Sequence, residues 1–218
     1  MISTEKSRQE FQRIFVTVGT TLFDALTESV SESNFLDAIS FYGYTHLVIQ
    51  YGKGSIPSMP MGTNQQHESS GTYTSSKGKT IYWEIYPFKP SLDHDMKNAD
   101  LIISHAGAGS IMEGLEQCRV RNSLIDQQNA GEKAIVCKKL VVVINDKLMD
   151  NHQMELAEAL ASRGYLMMLT GSSLQLVKVG CRDVIKKIEA FRPKNFEGGD
   201  SSSFGILLDH FMGFEKTL

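Results

Sequence analysis

Two glycines one residue apart sit in the segment Ser104-His105-Ala106-Gly107-Ala108-Gly109-Ser110-Ile111-Met112-Glu113. An apolar, strand-like run leads into them and a helix-like run leads out. The first turn of a helix has amides without intrahelical acceptors, and the helix dipole adds partial positive charge there. Glycines let a phosphate approach those amides, and the Ser110 hydroxyl adds a donor. On composition alone, a tight strand-to-helix turn with no ligand fits equally well. A second polar cluster, Asn145-Asp146-Lys147-Leu148-Met149-Asp150-Asn151-His152-Gln153, packs carboxylate, amide and imidazole groups ahead of another helix. Such groups suit a polyol such as a sugar, whose hydroxyls need several donors and acceptors at once. N-capping by Asp150 or Asn151 explains one of these residues but not the whole set. A third stretch, Thr17-Val18-Gly19-Thr20-Thr21-Leu22-Phe23-Asp24, is a small-residue turn that by itself reads as an ordinary β–α connection.

Other motifs fail on spacing or context. Gly109 is followed by Ser-Ile-Met rather than by the last glycine of G-x-G-x-x-G, and no such fingerprint follows the first strand, which disfavours a nicotinamide site. Gly78-Lys79-Thr80 has the end of a P-loop but Tyr73 where its first glycine belongs, and it feeds a strand. Asp93-His94-Asp95 has the D-x-D form that holds a divalent metal in some glycosyltransferases, but acidic residues at a helix start also suit the dipole. The six histidines share no metal-ligand spacing.

These segments need a scaffold, and the apolar pattern supplies one. Strands are expected at Ile14–Val18, Tyr44–Tyr51, Thr80–Phe88, Asp100–Ser104, Leu140–Ile144 and Tyr165–Leu169. Helices are expected at Asn34–Tyr42, Leu92–Asn98, Gly107–Gln117, Asp150–Arg163, Val177–Phe191 and Ser202–Phe214. Alternation of the two predicts an α/β fold: a Rossmann-like, mainly parallel sheet with helices on both faces. In such a sheet ligands bind beyond the carboxyl ends of the strands, where all three polar segments fall. The 218 residues are read as a single domain, 1–218, with residues 53–78 a long surface loop.

Composition bounds the function. With 22 basic and 25 acidic residues the formal charge is −3, so no basic excess points to nucleic acid. The longest aliphatic run, Leu140–Ile144, is far short of the ~20 residues needed to span a bilayer. Three cysteines, Cys118, Cys137 and Cys181, show no paired spacing, so neither disulfides nor zinc are expected and the chain reads as a soluble, cytosolic-type domain.

Taken together, residues 15–24 (FVTVGTTLFD), 100–115 (DLIISHAGAGSIMEGL) and 144–160 (INDKLMDNHQMELAEAL) resemble the sugar-nucleotide-binding subunit of the eukaryotic two-subunit UDP-GlcNAc transferase. More distantly, the chain is similar to the C-terminal half of the bacterial peptidoglycan GlcNAc transferase, a GT-B enzyme. The resemblance implies the donor-binding half of a GT-B fold, partnered by a membrane-anchored acceptor-domain subunit at the cytosolic face of the endoplasmic reticulum, with a free pool in the cytoplasm. It implies transfer of GlcNAc from UDP-GlcNAc to GlcNAc-diphosphodolichol, the second step in making the lipid-linked oligosaccharide for protein N-glycosylation. It also implies an enzyme active only as a complex, with no metal and no cofactor besides the donor substrate.

Carried over by motif, Glu113 matches a glutamate that holds the ribose hydroxyls, and the amides of Ala108, Gly109 and Ser110 face the diphosphate. Asp150, Asn151, His152 and Gln153 match the stretch that holds the GlcNAc hydroxyls, Gln153 foremost. Gly19, Thr20 and Thr21 match the first glycine-rich loop, near the phosphates and the acceptor. His105 belongs to the motif with a structural or phosphate-facing role. The general base is not assigned; this chain or its partner supplies it. Non-catalytic binding of a nucleotide sugar is the rival reading.

Two features lie outside the shared pattern. Residues from about 119 to 137 look like an insertion, expected as a surface loop or as a flaw in the coding sequence. Phe204, Leu207, Leu208, Phe211 and Met212 fall on one stripe of an amphipathic C-terminal helix, 202–218, expected to dock on the chain's own core or on the partner.

Overall fold

A computed structural model of the chain describes residues 12–60, 69–128, 137–145 and 151–196. Seven strands form one sheet in the order β3-β4-β2-β1-β5-β6-β7. They are β1 (Gln12–Thr17), β2 (Tyr44–Gln50), β3 (Ser69–Thr74), β4 (Thr80–Tyr86), β5 (Leu101–His105), β6 (Lys139–Val143) and β7 (Met167–Leu169). The helices are α1 (Asp24–Ser31), α2 (Ser33–Phe41), α3 (Asp93–Asn98), α4 (Ala108–Gln128), α5 (Asn151–Ser162) and α6 (Gly171–Ala190). All neighbouring strands run parallel except β3, which is antiparallel to β4.

The two-residue period of the strands sorts their side chains into two cores. Val16, Leu47, Ile49, Ile85, Ile103 and Val141 pack on one face with Leu26, Leu36, Ile39 and Ile185 from α1, α2 and α6. Phe15, Ile102, Leu140 and Val142 pack on the other with Met96, Ile111, Leu115, Leu156 and Leu160 from α3, α4 and α5. Continuous apolar runs such as Leu140–Val143 follow from burial on both faces. Gly114 is small for a packing reason: a Cβ there would stand 3.0 Å from Leu140 Cδ1.

Three elements differ from the sequence reading. Residues 69–74, within the stretch expected to be a surface loop (53–78), form β3. It is a half-exposed edge strand of Ser, Gly, Thr and Tyr, so it lacks the apolar run that marks a buried one. Gly71 leaves room there for the Trp83 ring, with an added Cβ falling 2.5 Å from Cζ2.

Helix α1 was not expected, because Thr27, Ser29 and Ser31 are poor helix formers. All three are buried, and their hydroxyls donate to preceding carbonyls: Thr27 to Asp24 (3.2 Å), Ser29 to Ala25 (2.6 Å) and Ser31 to Thr27 (2.6 Å). The segment from 119 is helical rather than a loop as far as Gln128, where α4 ends. Buried Asn122 explains why: its Nδ2 donates to the Lys138 carbonyl (3.2 Å), and its Oδ1 accepts from the Lys138 amide (3.0 Å). Arg121 adds an ion pair to Asp100 at 2.5 Å. Residues 129–136 and the expected helix 202–218 lie outside the described residues.

Candidate functional site

Strand β1 lies between β2 and β5, so the chain leaves β1 on one side and returns on the other. At such a switch point the loops beyond the carboxyl ends diverge and leave a crevice. Here they are the loop after β1 (Gly19, Thr20, Thr21) and the turn from β5 into α4 (Ala106, Gly107).

The β1 loop is built around a side chain that the sequence motifs did not single out. Gln50, the last residue of β2, is 1% exposed. Its Oε1 accepts from the Thr17 hydroxyl (2.6 Å), the Val18 amide (3.2 Å) and the Gly19 amide (2.9 Å). Its Nε2 donates to the carbonyls of Gly19 (2.8 Å) and Pro87 (2.7 Å). One buried amide thus ties the ends of β1, β2 and β4 together. The only signal for it in the sequence is a polar residue ending the apolar run of β2. Thr21 closes the turn, its amide (3.1 Å) and hydroxyl (2.7 Å) both donating to the Val18 carbonyl. Thr20 and Thr21 are exposed on the rim.

His105 stands between the two loops. Gly19 has a φ of +59°, and a Cβ on it would fall 2.7 Å from His105 Cε1. A Cβ on Gly107 would overlap His105 Nε2. The glycines on either side are what make room for the ring. Burial holds the imidazole below the usual histidine pKa, with a backbone interaction at Thr17 working the other way. Burial thus favours the neutral imidazole, the form that adds no charge to the crevice. Its Nδ1 is buried without a hydrogen bond of ordinary geometry among the described residues.

Beyond Gly107 the helix opens as the sequence suggests. The Ile111 amide donates to the Gly107 carbonyl at 3.0 Å, closing the first helical bond. The amides of Ala108, Gly109 and Ser110 therefore have no intrahelical acceptor. Gly109 is exposed, and nothing stands within 4 Å of where its Cβ would be. Glu113, four residues on, is exposed on the same helix face. After β6, Asn145 Nδ2 reaches the Leu22 carbonyl at 3.4 Å and joins that connection to the β1 loop. Asn151 and Gln153 lie on the first turn of α5. Their side chains and that of His152, and the whole of Asp150, lie outside the described residues.

The Asp93-His94-Asp95 motif takes another role. Asp95 Oδ2 accepts from the Tyr86 hydroxyl (2.5 Å) and the Lys89 ammonium (3.1 Å), which occupies that oxygen in a structural cluster. Among the described residues no group of three or more His, Cys, Asp or Glu is placed to hold a metal.

Residues 13–117, which carry the glycine turns and the start of α4, match the glycosyltransferase family 28 C-terminal domain. The fold agrees: the crystal structure of MurG from Acinetobacter baumannii superposes with a TM-score of 0.51 at 16% identity, over 82% of this chain and 41% of that one. The class is thus the C-terminal domain of a GT-B glycosyltransferase.

Within that class the chain belongs to the ALG13 family of UDP-N-acetylglucosamine transferase subunits. It is 30% identical to the Kluyveromyces lactis member, over 84% of this chain and 93% of that protein. It is 39% identical to the human member over 72% of this chain, which is 11% of that much longer protein. The mouse member is likewise matched over only 13% of its length. The solution structure of ALG13 superposes with a TM-score of 0.55 at 26% identity, over 91% of this chain and 96% of that one. These relatives are named as transferase subunits, which implies a partner subunit. Among the described residues no helix is long and apolar enough to cross a membrane.

Proposed function

We propose that this chain is the donor-binding subunit of an inverting transferase that moves GlcNAc from UDP-GlcNAc to GlcNAc-diphosphodolichol. In this reading a membrane-anchored partner carries the acceptor domain and holds the chain at the cytosolic face of the endoplasmic reticulum. One observation carries it: three amides without intrahelical acceptors open α4 at the switch point, beside a glycine loop locked by Gln50.

That geometry supports the following chemistry. The acceptor hydroxyl attacks the anomeric carbon, that carbon's bond to the β-phosphate oxygen breaks, and UDP leaves with the electron pair. Negative charge grows on the β-phosphate as it departs. Fixed N–H donors and about half a positive charge at the helix end stabilise that charge more in the transition state than in the ground state. No metal is needed for this step. Glu113, exposed on the next turn, holds the ribose hydroxyls as an acceptor of hydrogen bonds. Asp150, Asn151 and Gln153 hold the sugar, and Thr20 and Thr21 face the acceptor. A base on this chain or the partner takes the acceptor proton.

The test is co-expression with a candidate membrane subunit and assay of GlcNAc transfer to a diphospholipid acceptor. Transfer by the pair, lost in Glu113→Ala through weaker donor binding, is the expected result. Donor binding without turnover in any reconstituted pair would instead identify a nucleotide-sugar-binding module.

A further inference from the structure

The amino-terminal edge of the sheet carries a second cavity. The last turn of α2, the β3–β4 turn at residues 75–79 and α6 enclose about 260 Å³ there. Strand β2 separates this edge from the crevice, and its seven residues span roughly 20 Å. The cavity belongs to no part of the donor site.

Its lining is basic. Lys77, Lys79 and Arg182 enter it from two different elements, against one carboxylate, Asp37. That carboxylate is already committed: Oδ1 accepts from the Ser76 amide (3.0 Å) and the Tyr73 hydroxyl (3.0 Å). Burial pushes the Asp37 pKa up, but these bonds and the Arg182 charge outweigh it and hold the carboxyl below its usual range. Among the described residues neither Lys77 nor Arg182 has a carboxylate within ion-pair distance. Both instead lie against the ring of Phe41, Lys77 Nζ at 4.8 Å and Arg182 Cζ at 5.3 Å from its centroid. The ring itself is 47% exposed. Ser40 and Ser75, bonded to each other at 3.0 Å, form the floor, and the Ser40 carbonyl holds Lys79 Nζ at 3.3 Å.

Ordinary surface lysines are dispersed and solvated. Here three cations converge on one concavity and leave two positive charges uncompensated. A phosphomonoester carries about −1.5 to −2 at pH 7 and matches that excess, whereas a single carboxylate does not. Arg and Lys are the residues that grip phosphate oxygens, and the exposed ring between them offers an apolar contact to whatever the phosphate is attached to.

We propose that this cavity is a phosphate-binding site, separate from the donor crevice, with Lys77 and Arg182 as its principal contacts. The phosphate is that of a soluble ester or of a lipid headgroup, and the experiment separates the two.

The full chain, labelled with ¹⁵N, is titrated with orthophosphate at constant ionic strength, and is sedimented with phosphatidylcholine vesicles with and without phosphatidic acid. The expected result is saturable shifts confined to residues 75–79 and the Arg182 region. The double variant Lys77→Ala/Arg182→Ala should weaken binding about tenfold or more, the scale of one charge-assisted hydrogen bond. Both side chains are exposed, so the variant is expected to fold, and an otherwise unchanged amide spectrum checks this. Sedimentation with acidic vesicles, reduced by Phe41→Ala, identifies a lipid source; shifts with orthophosphate but no sedimentation identify a soluble one. Absence of both shifts and sedimentation, or binding undiminished in the double variant, overturns the proposal.

Discussion

At Gly107 the missing Cβ is what lets the β5–α4 turn close over the His105 ring. Gly107→Ala places a methyl group on Nε2, and overpacking of this kind costs about 1–3 kcal/mol. The expected outcome is a lower urea midpoint and at least tenfold weaker UDP-GlcNAc binding. His105→Ala in the same chain should restore part of both, because the two residues share one contact. Gln50→Leu removes the acceptor from Thr17, Val18 and Gly19 and the donor to Gly19 and Pro87 while nearly keeping the volume. It should cost about 2 kcal/mol or more in denaturant unfolding. Donor affinity should also fall about tenfold, since the β1 loop would lose its anchor. Unchanged affinity in a destabilised variant would limit Gln50 to holding the fold. The glycines were legible in the sequence as a motif. Gln50 was not, because its role depends on three strand ends that are adjacent only in the sheet.

Among the elements, α4 shows how context overrides pattern. Its second half is polar, yet Asn122 and Arg121 tie it to Lys138 and Asp100 at the strand starts. Lys138 is fully buried, its ammonium donating to the carbonyls of Met96 and Lys97 that end α3. Burial lowers its pKa to about 8, with the Arg121 charge acting the same way and Cys118 and Asp100 opposing. The folded state therefore binds fewer protons than the unfolded chain between that value and the ordinary 10.5. Stability from this group rises with pH across that window, by at most about 1.4 kcal/mol per pH unit, and is not gained below it. The thiols of Cys118 and Cys181, both pushed up to about 12 by burial, act with the opposite sign at higher pH. The readable quantity is thus the difference between wild type and Lys138→Met. Unfolding free energies at pH 8 and pH 10 should diverge in favour of the wild type, and a constant difference would contradict the shift. Strand β3 and helix α1 carry the same lesson: edge position hid one and buried, back-bonded hydroxyls hid the other.

For the molecule as a whole, the crevice lies at the carboxyl ends of the strands and the basic cavity at their amino ends, so a ligand in one leaves the other accessible. Binding donor to the folded state alone should stabilise the whole sheet, because in the proposed site the segments that hold it follow β1, β5 and β6. At a hundredfold excess over the dissociation constant the gain is about 2.7 kcal/mol, or roughly 5–10 °C in Tm for a chain of this size. Thermal melts with UDP-GlcNAc should show that rise, and Glu113→Ala should need more donor for the same shift. A donor-independent Tm would mean that the folded chain alone does not bind the nucleotide sugar.

What the residues determined alone was periodic and local. Apolar runs set six of the seven strands, the 3.6-residue pattern set most helices, and the paired glycines marked the turn from β5 into α4. These signals survive in one dimension because each depends on neighbours within a turn or two of the chain. The strand order, the wedge of His105 between Gly19 and Gly107, the Gln50 tie and the convergence of Lys77, Lys79 and Arg182 were decided only in three dimensions. Each joins residues tens of positions apart, and the energy that brings them together is burial of the whole sheet between its helices.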